Sequence, residues 1–106
     1  MSKYVQTYPE IDAGNGVTRV LVADSPELMV VEFRFRKYGV GSPHSHPHVQ
    51  STYVKSGKYE FTISDQTFTV KAGDAFVIPS NAIHSCHAIE AGVLVDTFTP
   101  RRDDFL

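Results

Sequence analysis

Apolar and polar residues alternate through much of the chain. Val31, Phe33 and Phe35 are interleaved with Glu32, Arg34 and Arg36, and Tyr59, Phe61 and Ile63 with Glu60 and Thr62. That period of two predicts strands with one buried face. Phe68 and Val70 continue the pattern, Ala75 to Ile78 is a short apolar run stopped by Pro79, and Val93 to Phe98 forms another strand before Pro100. Turn-forming pairs and triplets, Ser56-Gly57, Ser64-Asp65-Gln66, Ala72-Gly73-Asp74 and Ser80-Asn81, recur about every eight residues, the cadence of all-β sandwiches and barrels. Gly14-Asn15-Gly16 and Asp24-Ser25-Pro26 bracket a further strand around Val17 to Val22. No segment carries the 3.6-residue period of an amphipathic helix, so the expected fold class is all-β.

Length bounds the architecture: 106 residues make one domain, residues 1–106, and exclude any fold that needs a second one. The net charge of −2 gives no overall attraction to a phosphate backbone or an anionic lipid surface, so neither nucleic acid nor membrane is an expected partner. Cys86 is the one cysteine and has no partner for an internal disulfide, and the first ten residues lack the apolar run of a secretory leader. Both features point to a cytoplasmic protein. A core this small gains from association, and a homodimer is expected.

The histidines change the picture. All five fall in two clusters, Pro43-His44-Ser45-His46-Pro47-His48 and His84-Ser85-Cys86-His87, separated by several strands. Residues two apart on an extended strand point the same way, so His44 and His46 can present both imidazoles to one cavity. An antiparallel strand from the second cluster can bring His84 opposite them, leaving His87 pointing outward. Parity adds Gln50 and His48 to the same face, although Pro47 bends the chain between them. A His-x-His flanked by prolines and completed by a distant histidine predicts a site for a divalent transition metal. Imidazole-rich ligation suits Zn, Ni, Fe, Mn or Cu without choosing among them.

These residues resemble two known motifs. Gly39 and Gly41 before His44-x-His46, then Gln50 and Gly57, are similar to the first cupin motif, and Gly73, Pro79, Asn81 and His84 to the second. The resemblance implies a cupin jelly-roll barrel with the metal inside, held by His44, His46, Gln50 and His84. Two positions depart from the pattern: Gln50 stands where a glutamate is usual, and Asn81 where a glycine is usual. Asparagine also tolerates positive φ. The neutral amide has the larger consequence, because three imidazoles and an amide leave a divalent charge uncompensated. Such a centre favours anionic substrates, and polarising a substrate oxygen suits it better than dioxygen chemistry.

The likeness to one group of small cupins, the KdgF pectin-degradation proteins, covers nearly the whole chain. It runs from Gly14-Asn15-Gly16-Val17 through Leu28 to Glu32 and His44 to Val54, and closes on Asp96-Thr97-Phe98-Thr99-Pro100-x-Arg102-x-Asp104-Phe105-Leu106. It implies metal-dependent ring opening and ketonisation of 4,5-unsaturated monouronates from pectin or alginate, with Asp96, Phe98 and Arg102 as the catalytic residues beside the metal. Alternation independently puts Asp96 and Phe98 on one face with Leu94. Asp96 would move protons, Arg102 would orient the anion and Phe98 would shape the pocket. Tyr53 and Cys86 can also face inward, where packing is the expected role. Other readings of the same residues are a cupin dioxygenase or isomerase, a non-catalytic sugar-binding cupin, and a metal that only clips the core.

Overall fold

The computed structural model describes residues 2–106, with no α-helix among them. Eight strands follow in chain order: β1 Glu10–Gly14, β2 Val17–Ser25, β3 Leu28–Phe35, β4 Val40–His44, β5 Val49–Ile63, β6 Gln66–Lys71, β7 Ala75–Ile78 and β8 His84–Thr99. A short 3-10 turn, Asp103–Phe105, ends the chain. Among the described residues no helix is long and apolar enough to cross a membrane.

Two long strands organise everything else. The first half of β5 lies between β7 and the last part of β8, while its second half lies between β6 and the first part of β8. β8 is shared in the same way, with β3 beside its end and β4 beside its start. The result is a two-sheet all-β sandwich of the cupin jelly-roll kind, in which β5 and β8 pass from one sheet to the other. They bend together at one corner. Gly57 has φ +87°, and a Cβ on Gly92 would lie 2.1 Å from the Ser56 carbonyl oxygen and 2.6 Å from Gly57 Cα. The ladder slips register on both sides of Ser56 at this point.

That corner corrects one expectation: Ser56-Gly57 is a bend within a 15-residue strand, not a turn between two strands. The other turns fall where alternation places them. Ser64, at φ 53°, and Asn15, at φ 55°, occupy left-handed positions in hairpin turns that suit short polar residues. β1 has no counterpart in the sequence pattern, since all five of its residues are exposed and it presents no apolar face.

The core divides into two groups. Val17, Phe35, Val54, Tyr59, Phe61, Val70, Ala88 and Leu94 fill the centre, and Leu21, Met29, Val31 and Phe98 fill the far end. Along the first half of β5 the buried residues are Gln50, Thr52 and Val54, so Tyr53 between them is turned out and exposed rather than facing inward. Along the end of β8 they are Leu94, Asp96 and Phe98. Three polar side chains on the interior side of these central strands, Gln50, Thr52 and Asp96, mark where the core gives way to a cavity.

Candidate metal centre

β4 ends at His44, directly opposite His84 at the start of β8. His46 lies beyond the strand, so the expected extended His-x-His is only half strand. Its loop is nevertheless fixed, because Asn81 N–H donates to the His46 carbonyl at 2.8 Å and Ser80 Oγ–H to the Pro47 carbonyl at 2.6 Å. Asn81 makes this brace at φ 66°, the conformation for which a glycine is usual. The Ser80-Asn81 turn thus replaces the ladder as the support for His46.

The three imidazoles converge. Ring centroids are 4.2 Å apart for His44 and His84, 5.0 Å for His46 and His84, and 5.6 Å for His44 and His46. One ring nitrogen from each lies within 4.8 Å of the others. Backbone carbonyls fix the tautomers: Nδ1–H of His44 donates to Ser42 O at 2.7 Å, that of His46 to His48 O at 3.2 Å, and that of His84 to Ala82 O at 2.9 Å. A carbonyl can only accept, so each Nδ1 holds the proton and each Nε2 offers a lone pair. Burial lowers the pKa of His46, and that of His84 to about 4, which keeps both rings neutral near pH 7.

Gln50 completes the set. Its Nε2 donates to Thr52 Oγ1 at 3.1 Å and to Asp96 Oδ2 at 3.0 Å, which turns Oε1 to within 3.0 Å of His46 Nε2. With the His46 proton on Nδ1, two lone-pair atoms face each other across that gap. The arrangement is repulsive on its own and is relieved by a shared cation. His84 Nε2 is likewise buried without a hydrogen-bond partner. This donor set fits a divalent transition metal.

Beside it stands the anionic and aromatic part of the cavity. Asp96 is buried opposite Thr52, and burial pushes its carboxyl up to about 7 against the lowering effects of Thr52, Gln50 and Arg102. Its Oδ1 has no partner. Phe98 packs edge-on to His46 at 5.6 Å and to Phe105 at 5.9 Å. Arg102, named from the resemblance, folds back so that its guanidinium lies 4.2 Å from the Phe105 centroid and 5.2 Å from that of Phe98. Its Nε and Nη2 donate to Asp104 at 3.0 and 2.7 Å. A cavity of about 330 Å³ is lined by His44, Gln50, His84, Asp96, Phe98 and Arg102 among others.

The remaining sequence candidates sit outside this donor set. His48 donates from Nε2 to Arg101 O at 3.1 Å, and His87 lies three residues past His84 in β8, partly buried and away from the cluster. Cys86 lines the cavity wall, but burial holds its thiol up at about 12, so it is a packing group and not a nucleophile. The sequence pattern alone does not mark Thr52 or Phe105 as site residues. Thr52 shares parity with Gln50, the one signal it carries, whereas only the fold brings Phe105 to the site.

The cupin domain family model matches residues 31–98. Pectin degradation protein KdgF of Dickeya dadantii is 39% identical over 100 residues, which cover 92% of this chain and 91% of that protein. Two solved structures superpose closely. KdgF from Halomonas sp. has a TM-score of 0.90 at 34% identity with full coverage of both chains. An RmlC-like cupin from Shewanella frigidimarina has a TM-score of 0.93 at 31% identity, covering 99% of this chain and 97% of that one.

Proposed function

The chain belongs to the cupin domain family and is homologous to pectin degradation protein KdgF, and from that premise we propose that it opens and ketonises 4,5-unsaturated monouronates released from pectin or alginate. One observation carries the reading: four uncharged donors converge in a cavity whose adjoining wall holds a buried carboxyl, Asp96, and a folded-back guanidinium, Arg102. A neutral donor set on a divalent ion leaves the centre positive, and an acidic sugar is the ligand that such a centre selects.

A divalent ion held by His44, His46, His84 and Gln50 supplies Lewis-acid polarisation of substrate oxygens. The protein residues account for the proton movements. In the unsaturated uronate the ring closes through a hemiacetal, and its alkene is conjugated with the carboxylate. Asp96 as carboxylate takes the proton of the anomeric hydroxyl; the C1–O5 bond breaks, a C1 carbonyl forms, and the electron pair passes to the enol oxygen. Asp96 as acid then returns a proton to the former alkene carbon, leaving a linear acid with an aldehyde at C1 and a ketone at C5, isomeric with the substrate. No external oxidant or reductant is needed. Positioned acid–base groups of this kind contribute about 10²–10⁴-fold in rate. Phe98 closes the cavity against water on the Asp96 side, and Arg102 orients the anion.

The test is to incubate metal-loaded protein with an unsaturated monouronate and follow the conjugated-alkene absorbance and the ring protons by NMR. Loss of both above the buffer rate, with metal-stripped protein inactive until metal is restored, supports the reading. Binding without any conversion would instead make the chain a uronate-binding cupin.

A further inference from the structure

β2 turns Val17, Arg19 and Leu21 to the interior side. Val17 and Leu21 are core residues, so Arg19 is a cation at a position where the alternation of the strand calls for an apolar side chain. It lines the same cavity as Asp96 and Arg102. Its guanidinium lies 4.4 Å from the centroid of Phe105, the ring that also carries the Arg102 guanidinium at 4.2 Å. One aromatic ring therefore presents two cations to the cavity.

The two arginines are not equivalent. Arg102 has its Nε and Nη2 edge committed to Asp104, which leaves it only part of its donor capacity. Arg19 pairs with no carboxylate among the described residues, and its Nε is buried without a partner. A half-buried guanidinium with an orphaned donor costs stability unless something else gains from it. Both arginines and Phe105 also lie outside residues 31–98, the segment that matches the general cupin model. The cation pair is thus an addition to the common framework, built from the first hairpin and the C-terminal turn.

We infer that Arg19 is a second substrate-recognition residue of this cavity, one that determines specificity by donating to the carboxylate of the bound uronate. The inference rests on the proposed uronate chemistry and extends it. Arg19 holds the anion and takes no part in proton transfer, so its loss weakens binding of acidic sugars and spares neutral ones. A planar guanidinium matches a carboxylate, and the flat face of Phe105 fixes its orientation.

The test uses metal-loaded wild type, Arg19→Met and Arg19→Lys, each shown by melting temperature to be folded. D-Galacturonate and its methyl ester are titrated into each by calorimetry, and kcat and KM are measured on the unsaturated monouronate. Arg19→Met is expected to raise the Kd for galacturonate and the KM about 10- to 100-fold, the worth of a charge-assisted hydrogen bond, with kcat within about 3-fold. Arg19→Lys should recover part of the loss, and affinity for the ester should be the same in all three. Unchanged galacturonate affinity in Arg19→Met, or a parallel loss for acid and ester, would overturn the inference. Wild type that neither binds galacturonate nor converts the unsaturated sugar removes the uronate reading, and this inference falls with it. Wild type that converts the substrate while Arg19→Met matches it leaves that reading standing and refutes the role of Arg19 alone.

Discussion

Asp96 Oδ2 accepts a hydrogen bond from Gln50 Nε2 at 3.0 Å. With the parallel contact to Thr52 Oγ1, this bond fixes which way the amide faces, and so delivers an oxygen to His46 Nε2. The carboxyl that serves as proton carrier in the proposed chemistry is therefore also the group that orients the fourth metal donor.

Replacing that donor by a carboxylate tests the arrangement. Gln50→Glu removes the hydrogen bond and sets two acids about 3 Å apart, a distance at which both cannot ionise freely. It also lowers the charge of the loaded centre by one. Metal content should persist while kcat/KM for the uronate falls about 10- to 100-fold, an effect of 1.4–2.7 kcal/mol. The double variant Gln50→Glu with Asp96→Asn restores a donor to the gap, so its metal affinity should equal or exceed that of Gln50→Glu. Tighter uronate binding by Gln50→Glu would show that the charge argument is wrong.

Metal binding should be visible as stability. An ion that binds only the folded state adds about 2.7 kcal/mol at a hundredfold excess over its Kd. For a chain of this length that is a rise in Tm of roughly 10 °C. His84→Ala and His46→Ala should abolish the rise with Ni, Zn, Mn or Fe(II), and His48→Ala and His87→Ala should keep it. A persistent rise in His84→Ala would remove that residue from the donor set.

The metal-free protein should have a distinctive stability profile with pH. His84 has a lowered folded pKa, so its contribution is present above its unfolded value of 6.5 and is lost as pH falls toward 4. Asp96 has a raised folded pKa, so its contribution is present below its unfolded value of 3.8 and is lost as pH rises toward 7. The two slopes oppose each other across pH 4–6.5. Asp96→Asn removes one of them, and chelator-treated protein carrying it should lose stability on acidification more steeply than wild type. Above pH 7 the same variant should be more stable than wild type, on the order of 1–3 kcal/mol. Parallel urea-denaturation profiles for the two proteins would contradict both assignments.

The corner of the sandwich predicts a contrast between glycines. A Cβ on Gly92 would meet only backbone, at 2.1–2.6 Å, so Gly92→Ala should cost more than about 3 kcal/mol or prevent folding. Gly73, at φ +96°, has open space around it, and Gly73→Ala should cost about 1 kcal/mol through backbone conformation alone. Equal costs by denaturant titration would mean that β5 and β8 do not cross as described.

Much of the site is legible in sequence because parity survives wherever strands are regular. Gln50 with Thr52, and Leu94 with Asp96 and Phe98, face inward as alternation requires, and His84 lies opposite His44. Legibility fails where support comes from elsewhere in the chain. His46 leaves its strand, yet the Ser80-Asn81 turn returns it to the cluster. Ser56-Gly57 resembles a turn because a glycine at positive φ serves a strand corner as well as a hairpin. β1 has no buried apolar face and joins the sheet through its backbone and the exposed Glu10–Arg34 ion pair, and Arg102 turns inward through contacts to Asp104 and Phe105 that no local pattern contains.

The most direct measurement is the turnover of an unsaturated monouronate by Asp96→Asn protein whose metal content has been determined. The account predicts one ion per chain, as in wild type, with the rate reduced at least about 100-fold because the proton carrier is gone. A fully loaded Asp96→Asn protein that consumes the alkene within a few-fold of the wild-type rate would contradict it.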